Sequence, residues 1–170
     1  MNVDSKNIIS GAVVPLVAII SNPKSTTNAS RIDEVRKVVD ESPNVVHYEL
    51  DGIASIPDAL ALFARANPAV LVVNGGDGTI GAVLAALLHQ NPFGVTPPIA
   101  YLPGGKTNMT ASDLGFKGRP EAVLKRLISL ANAGQLPERL IRRHLIEMDM
   151  GDVQPARVGM FFGTAGVVKG

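Results

Sequence analysis

The 170-residue chain contains no cysteine and no tryptophan. The first absence excludes disulfide staples, thiolate metal sites and cysteine nucleophiles, and leaves the redox compartment open. With five Phe and two Tyr, aromatic faces are too few for the stacking platforms that hold single-stranded nucleic acid. Long hydrophobic runs are also missing. The longest apolar stretch, Gly11 to Ile20, is interrupted by Pro15. It is too short for a transmembrane helix, and neither a basic leader segment nor a small-residue cleavage site accompanies it. Neither sign of charge is in excess: sixteen Lys and Arg stand against fifteen Asp and Glu, a formal net charge of +1. That balance argues against a nucleic-acid partner bound through bulk charge.

What remains is a soluble intracellular protein of about one domain. Hydrophobic residues make up 46% and charged ones 18%, which excludes a disordered chain and fits a well-buried sheet. Residues Met1 to Ser10 read as a polar leader, and residues 1–13 are set apart from the fold. Val14 to Ser21 is a branched apolar run without alternation, as expected of a parallel strand covered on both faces. Helix-period apolar residues follow at Ile32, Val35, Val38 and Val39. Val45 to Leu50 reads as a second strand. Pro57-Asp58 opens a second helix with Leu60, Leu62, Phe63 and Ala66. Ala69 to Val73 is a third strand, and Ile80, Val83, Leu84, Leu87 and Leu88 form the stripe of a third helix. Ile99 to Leu102 is a fourth strand, and Pro120 to Ala133 a further helix. These alternations predict an α/β doubly wound, mainly parallel sheet flanked by helices over residues 14–150. Leu140 to Met150 and Arg157 to Thr164 are strand-like with no helix between them. They predict antiparallel strands and, over residues 151–170, the start of a second β-rich domain cut short at Gly170.

Three strand-end loops carry the candidate chemistry. Gly75-Gly76-Asp77-Gly78-Thr79 joins a strand to a helix. Its glycines let an anion approach backbone amides, and the helix N-terminus adds free N–H donors. Thr79 would donate a hydroxyl, and Asp77 would act on a metal ion or as a base; a tight turn with Asp77 as helix cap is the plainer alternative. Asn22-Pro23-Lys24-Ser25 ends the first strand, where ligands of parallel sheets bind. There Asn22 and Ser25 could touch a nucleotide and Lys24 could neutralise phosphate, or the segment is a turn followed by caps.

The third loop, Gly104-Gly105-Lys106-Thr107-Asn108, is ambiguous. Ala100 to Thr107 has a loose phosphate-loop spacing, with Lys106 on the terminal phosphates, Thr107 on Mg²⁺ and Asp149 as a second carboxylate. Against it, Ala replaces the first Gly, the loop follows the fourth strand, and Thr107 opens only a short helix. His47, His89 and His144 lack metal-ligand spacing and read as structural or solvent-facing. Arg139, Arg142, Arg143 and His144 read as a solvated edge more than as a contact for anionic lipid.

Together, Asn22-Pro23-Lys24-Ser25, Gly75-Gly76-Asp77-Gly78-Thr79 and Leu102-Pro103-Gly104-Gly105 with Asn108 resemble the catalytic domain of the diacylglycerol kinase family. That family includes bacterial lipid kinases and the sphingosine kinases, and is more remotely similar to NAD kinases. The resemblance runs from about Val14 to the last residue. Glu147-Met148-Asp149-Met150-Gly151 and Phe161 to Gly166 look like the crossing into the family's second domain. It implies transfer of the γ-phosphoryl group of ATP, with Mg²⁺, to a lipid hydroxyl such as that of a diacylglycerol. Gly75 to Thr79 would hold the nucleotide phosphates, Asn22 would line the pocket, and Asp77 would serve as base or through Mg²⁺. The protein would then be cytoplasmic and peripheral to the membrane, with a homodimer left open. Two positions depart from the family: its fourth-strand loop usually reads Gly-Thr-x-Asn-Asp, whereas Lys106 stands here for the Thr and Met109 for the Asp. A nucleotide-binding module without catalysis is the rival reading.

Overall fold

The computed structural model describes residues 14–149, 151 and 157–160. The expected leader over residues 1–13 and the segment Phe161 to Gly166 lie outside these. Four parallel strands, β1 (Val17–Ser21), β2 (Val45–Glu49), β3 (Val70–Gly75) and β4 (Ile99–Pro103), lie in the order β2-β1-β3-β4. β1 and β3 are buried on every residue and apolar up to their carboxyl ends at Ser21 and Asn74, whereas the edge strand β2 is half-buried and mixes Val with His47, Tyr48 and Glu49. Burial, not alternation, decides the composition of a central parallel strand.

Helices α1 (Asn28–Asp40) and α5 (Pro120–Asn132) cover one face, where Val17, Ile19, Val72 and Leu102 meet Val35, Val38, Leu124 and Leu127. Helices α2 (Ile56–Ala66) and α3 (Asp77–Gln90) cover the other, where Ala18, Ile20, Leu71 and Val73 meet Leu60, Phe63, Ile80 and Val83. Registers of Ile19 with Val72 and Val73 with Tyr101 keep each face continuous across the strands. Two expected core positions are instead half exposed, Leu62 at 48% and Leu88 at 50%. Leu88 lies eight residues beyond Ile80, a turn of about 80° around the helix, which carries it to the margin of the buried stripe.

The C-terminal strands pair antiparallel as expected but are short: β5 (Ile146–Met148) with β6 (Arg157–Gly159). They form a separate two-stranded sheet, and residues 140–145 have no regular structure. This hairpin is seated on α3. Val158 is buried in the α2/α3 core, Gly81 leaves room for its carbonyl, and His89 at the end of α3 meets Glu147 at 3.0 Å. Among the described residues no helix is long and apolar enough to cross a membrane.

Candidate functional site

From β1 the chain passes through α1 on one face to reach β2, then through α2 on the other face to reach β3 on the far side of β1. The direction of winding reverses between β1 and β3, which opens a crevice at their carboxyl ends, the usual ligand position in such sheets. All three predicted loops meet there. The Asn22 amide donates to Asn74 O at 2.9 Å, and the amides of Thr27 and Asn28 donate to Gly104 O at 3.0 and 3.1 Å. Thr27 Oγ1 donates to Gly105 O at 2.7 Å, and Asn22 Nδ2 donates to Thr79 Oγ1 at 2.9 Å. Asn28, fully buried, donates from Nδ2 to both Asn22 O and Asn74 O. Each loop is therefore held by the other two.

Glycine makes that approach possible. The Gly76 and Gly105 backbones touch: a Cβ on Gly105 would strike the Gly76 Cα, and one on Gly76 would lie 3.2 Å from the Gly105 Cα. A Cβ on Gly104 would fall 2.7 Å from the side-chain oxygens of both Asn28 and Asn74. Gly78 is different, because nothing lies within 4 Å of its would-be Cβ. It opens outward at the start of α3, whose cap is the extended Gly76. The amides of Asp77 and Gly78 meet no acceptor among the described residues. Free amides at a helix N-terminus, bordered by an open glycine, fit a phosphate group.

Asp77 is the first residue of α3, and its carboxylate reaches across to the fourth-strand loop. It accepts from the Met109 amide at 3.1 Å and the Thr110 amide at 3.0 Å, so it caps the short helix α4 (Met109–Asp113). The plain alternative to catalysis is thus met in another form, a cap on a different helix. Asn108 adopts a left-handed conformation (φ 53°), accepts from the Gly105 amide and donates to the Gly105 carbonyl, both at 2.8 Å. Thr79 is buried with its hydroxyl turned to Asn22. Ser25 Oγ accepts from the Gly76 amide at 3.4 Å, and Pro23 shapes the turn after β1. Lys24 is drawn toward the end of β2, its Nζ donating to Asp51 O at 2.7 Å. Lys106 and Thr107 are exposed, and Lys106 has no ion pair among the described residues.

The phosphate-loop alternative does not match this arrangement. Ala100 lies inside β4, Thr107 precedes a helix of five residues, and Asp149 follows β5 in the separate hairpin. A phosphate loop needs a strand-loop-helix unit whose long helix presents its amides to the anion. Among the described residues no group of three or more His, Cys, Asp or Glu could hold a metal ion. Asp77 alone fits Mg²⁺ only in the usual manner of nucleotide sites, where one or two carboxylates share the ion with phosphate oxygens and water.

Beneath the rim runs a polar chain that the sequence did not announce. His47 Nε2 lies 2.7 Å from Ser21 Oγ, and Ser21 Oγ accepts from Asn74 Nδ2 at 3.0 Å. Burial pushes the His47 pKa down, against a smaller upward pull from Glu49. Glu49 is itself held by the Arg36 guanidinium, which lowers its pKa. Ser21, Asn28 and Asn74 are the residues missed; polar side chains at two strand ends and at the start of α1 were the signal available. The histidine reading holds for His47 and for His89, while the basic edge divides, with Arg143 paired to Asp113 at 3.1 Å.

The diacylglycerol kinase catalytic domain model matches residues 16–153. A crystal structure of a diacylglycerol kinase from Bacillus anthracis str. Sterne is similar at 21% identity and a TM-score of 0.56, covering 68% of this chain and 40% of that one. A second, described as a "putative diacylglycerol kinase" of the same strain, is similar at 21% identity and a TM-score of 0.56, covering 68% of this chain and 42% of that one. The chain thus spans about two fifths of the length of these structures. No curated protein sequence matches it. The matched segment contains all three rim loops and the whole parallel sheet, and this chain belongs to the diacylglycerol kinase catalytic domain family.

Proposed function

We propose that this chain binds MgATP at the β1/β3 rim as the nucleotide-holding part of a lipid kinase, one that moves the γ-phosphoryl group onto a lipid hydroxyl. The observation that carries this reading is the outward-facing start of α3, where the open Gly78 and two amides with no acceptor among the described residues lie between the two polar loops. Phosphoryl transfer asks a protein mainly for positioning and charge neutralisation. The amides would hold phosphate oxygens, exposed Lys106 would add positive charge, and Asp77 would share Mg²⁺ with the phosphates or take the proton of the acceptor hydroxyl. ADP leaves as the phosphate ester forms. The acceptor proposed is a diacylglycerol-like lipid reached by peripheral contact with a membrane.

Calorimetric titration of MgATP, run beside Gly78→Ala, tests it. Ala is the better helix former by up to about 1 kcal/mol and has open space here, so the variant should unfold at the same or a higher temperature. Its methyl group would nevertheless stand where the phosphate approaches, and affinity should fall about tenfold, the cost of one charge-assisted hydrogen bond. Binding that is absent, or equal in the two proteins, sinks the reading. Transfer from labelled ATP to diacylglycerol in mixed vesicles then tests catalysis. A nucleotide-binding module without transfer is the second reading, favoured by the engagement of Asp77 with α4 and by Met109 in place of a carboxylate. Bound ATP with no phosphorylated lipid would support it.

A further inference from the structure

A cavity of about 460 Å³ lies away from the glycine rim, against the open side of the edge strand β4. Its floor is Val70, Ile99 and Ala100, at the starts of β3 and β4. The rim is at their carboxyl ends, roughly 16 Å away along the strand. One wall is α5, where Ala122, Arg126 and Leu130 repeat at four-residue spacing beside Val123 and Leu127. Leu114 and Phe116 form the opposite wall, with Phe116 set edge-on to Tyr101 at 6.1 Å. Leu140 and Ile141 form the lip and are 58% and 62% exposed. Exposed apolar side chains gathered at the mouth of an apolar cavity mark a binding surface more often than a passive one.

The charges at this cavity are of one sign. Lys117, Arg126 and Arg139 line it, none makes an ion pair among the described residues, and no acidic residue is in the lining. In a chain whose net formal charge is only +1, that is a local excess. Side chains of this kind can lay an aliphatic stem on an apolar wall and keep the charged head in water. Guanidinium groups match a phosphate with two parallel hydrogen bonds.

We infer that this cavity binds a single-chain lipid with a phosphate head, its alkyl chain between α5 and the edge of β4 and its phosphate against Arg126, Arg139 and Lys117. The site is separate from the proposed nucleotide rim and does not depend on that reading.

Dodecyl phosphate below its micelle concentration, titrated into the chain by calorimetry, tests it, with nuclear Overhauser contacts from the alkyl protons to Leu130 and Ile141 methyls giving the place. Binding is expected, with those contacts, and undiminished by saturating MgATP. Arg126→Glu with Arg139→Glu, both exposed positions, should weaken it at least about tenfold without changing the unfolding temperature. Dodecyl maltoside and inorganic phosphate should each bind at least about tenfold more weakly than the complete amphiphile. Equal binding of the maltoside would reduce the cavity to an apolar surface and overturn the proposal. So would displacement of the probe by MgATP, indifference to the double variant, or failure of the probe to bind while the chain dimerises through this face.

Discussion

The carboxylate of Asp77 caps the helix that begins at Met109, taking the Thr110 amide at 3.0 Å and the Met109 amide at 3.1 Å. A residue at the mouth of the candidate site thus fixes the relative position of the β3 and β4 loops. Loss of such a cap costs about 1–2 kcal/mol. Asp77→Ala should lower the free energy of unfolding in urea by that amount even without nucleotide, whereas Asp77→Asn, which keeps one acceptor, should lose less. If Asp77→Ala were as stable as the parent, the capping role would be wrong and any loss of activity would belong to chemistry.

Gly104→Ala isolates the packing of the three loops. The new methyl group would stand 2.7 Å from the Asn28 and Asn74 side-chain oxygens, both fully buried. Overpacking a closed site costs about 1–3 kcal/mol. The variant should show that loss in chemical denaturation and weaker MgATP binding as well, in contrast to Gly78→Ala, where stability and affinity separate. A Gly104→Ala protein as stable as the parent would mean that the loops part easily.

His47 gives the fold a pH dependence of known sign. Burial lowers its pKa in the folded protein below the ordinary 6.5. Below that ordinary value the unfolded chain takes up a proton that the folded chain does not, so stability rises with pH in this window. Stability should therefore fall as pH drops from about 6.5 toward the folded pKa and level off once both states are protonated. Glu49 pulls the ring the other way and limits the effect, while Arg36 adds to it. His47→Asn should flatten the unfolding midpoint over this range. An unchanged slope would assign the pH dependence to other groups.

Gly81→Ala sets two effects against each other. In the middle of α3, Ala is favoured over Gly by roughly 0.8–1 kcal/mol. Its Cβ would also meet Val158 O at 2.8 Å, on the hairpin strand seated there. The expected outcome is a hairpin lifted from an intact helix. Amide exchange should speed up over Ile146–Met148 and at Val158 while α3 stays as protected as before. Unchanged protection of the hairpin would show that the backbone shifts to admit the methyl group.

The sequence by itself determined the layering and the location of the chemistry. Short, branched apolar runs at β1 and β3 read as strands buried on both faces, and the 3.6-residue stripe from Ile80 to Leu87 as a helix with one buried face. Glycine and polar residues at the ends of the first, third and fourth strands pointed to one rim, because parallel strands place their carboxyl ends together. Tertiary structure decided what each side chain in that rim does. Asp77 sits at a helix start in the sequence, yet its partners are amides more than thirty residues away. Thr79 follows the glycines and looked available to a ligand, but the tight turn at Gly75 folds its hydroxyl inward to Asn22. Asn28 and Asn74 are buried and tie the loops together. Periodicity reports which face of an element is buried. It carries no information on which distant backbone group a polar side chain will find, because that depends on how three loops, separate in sequence, close over one another.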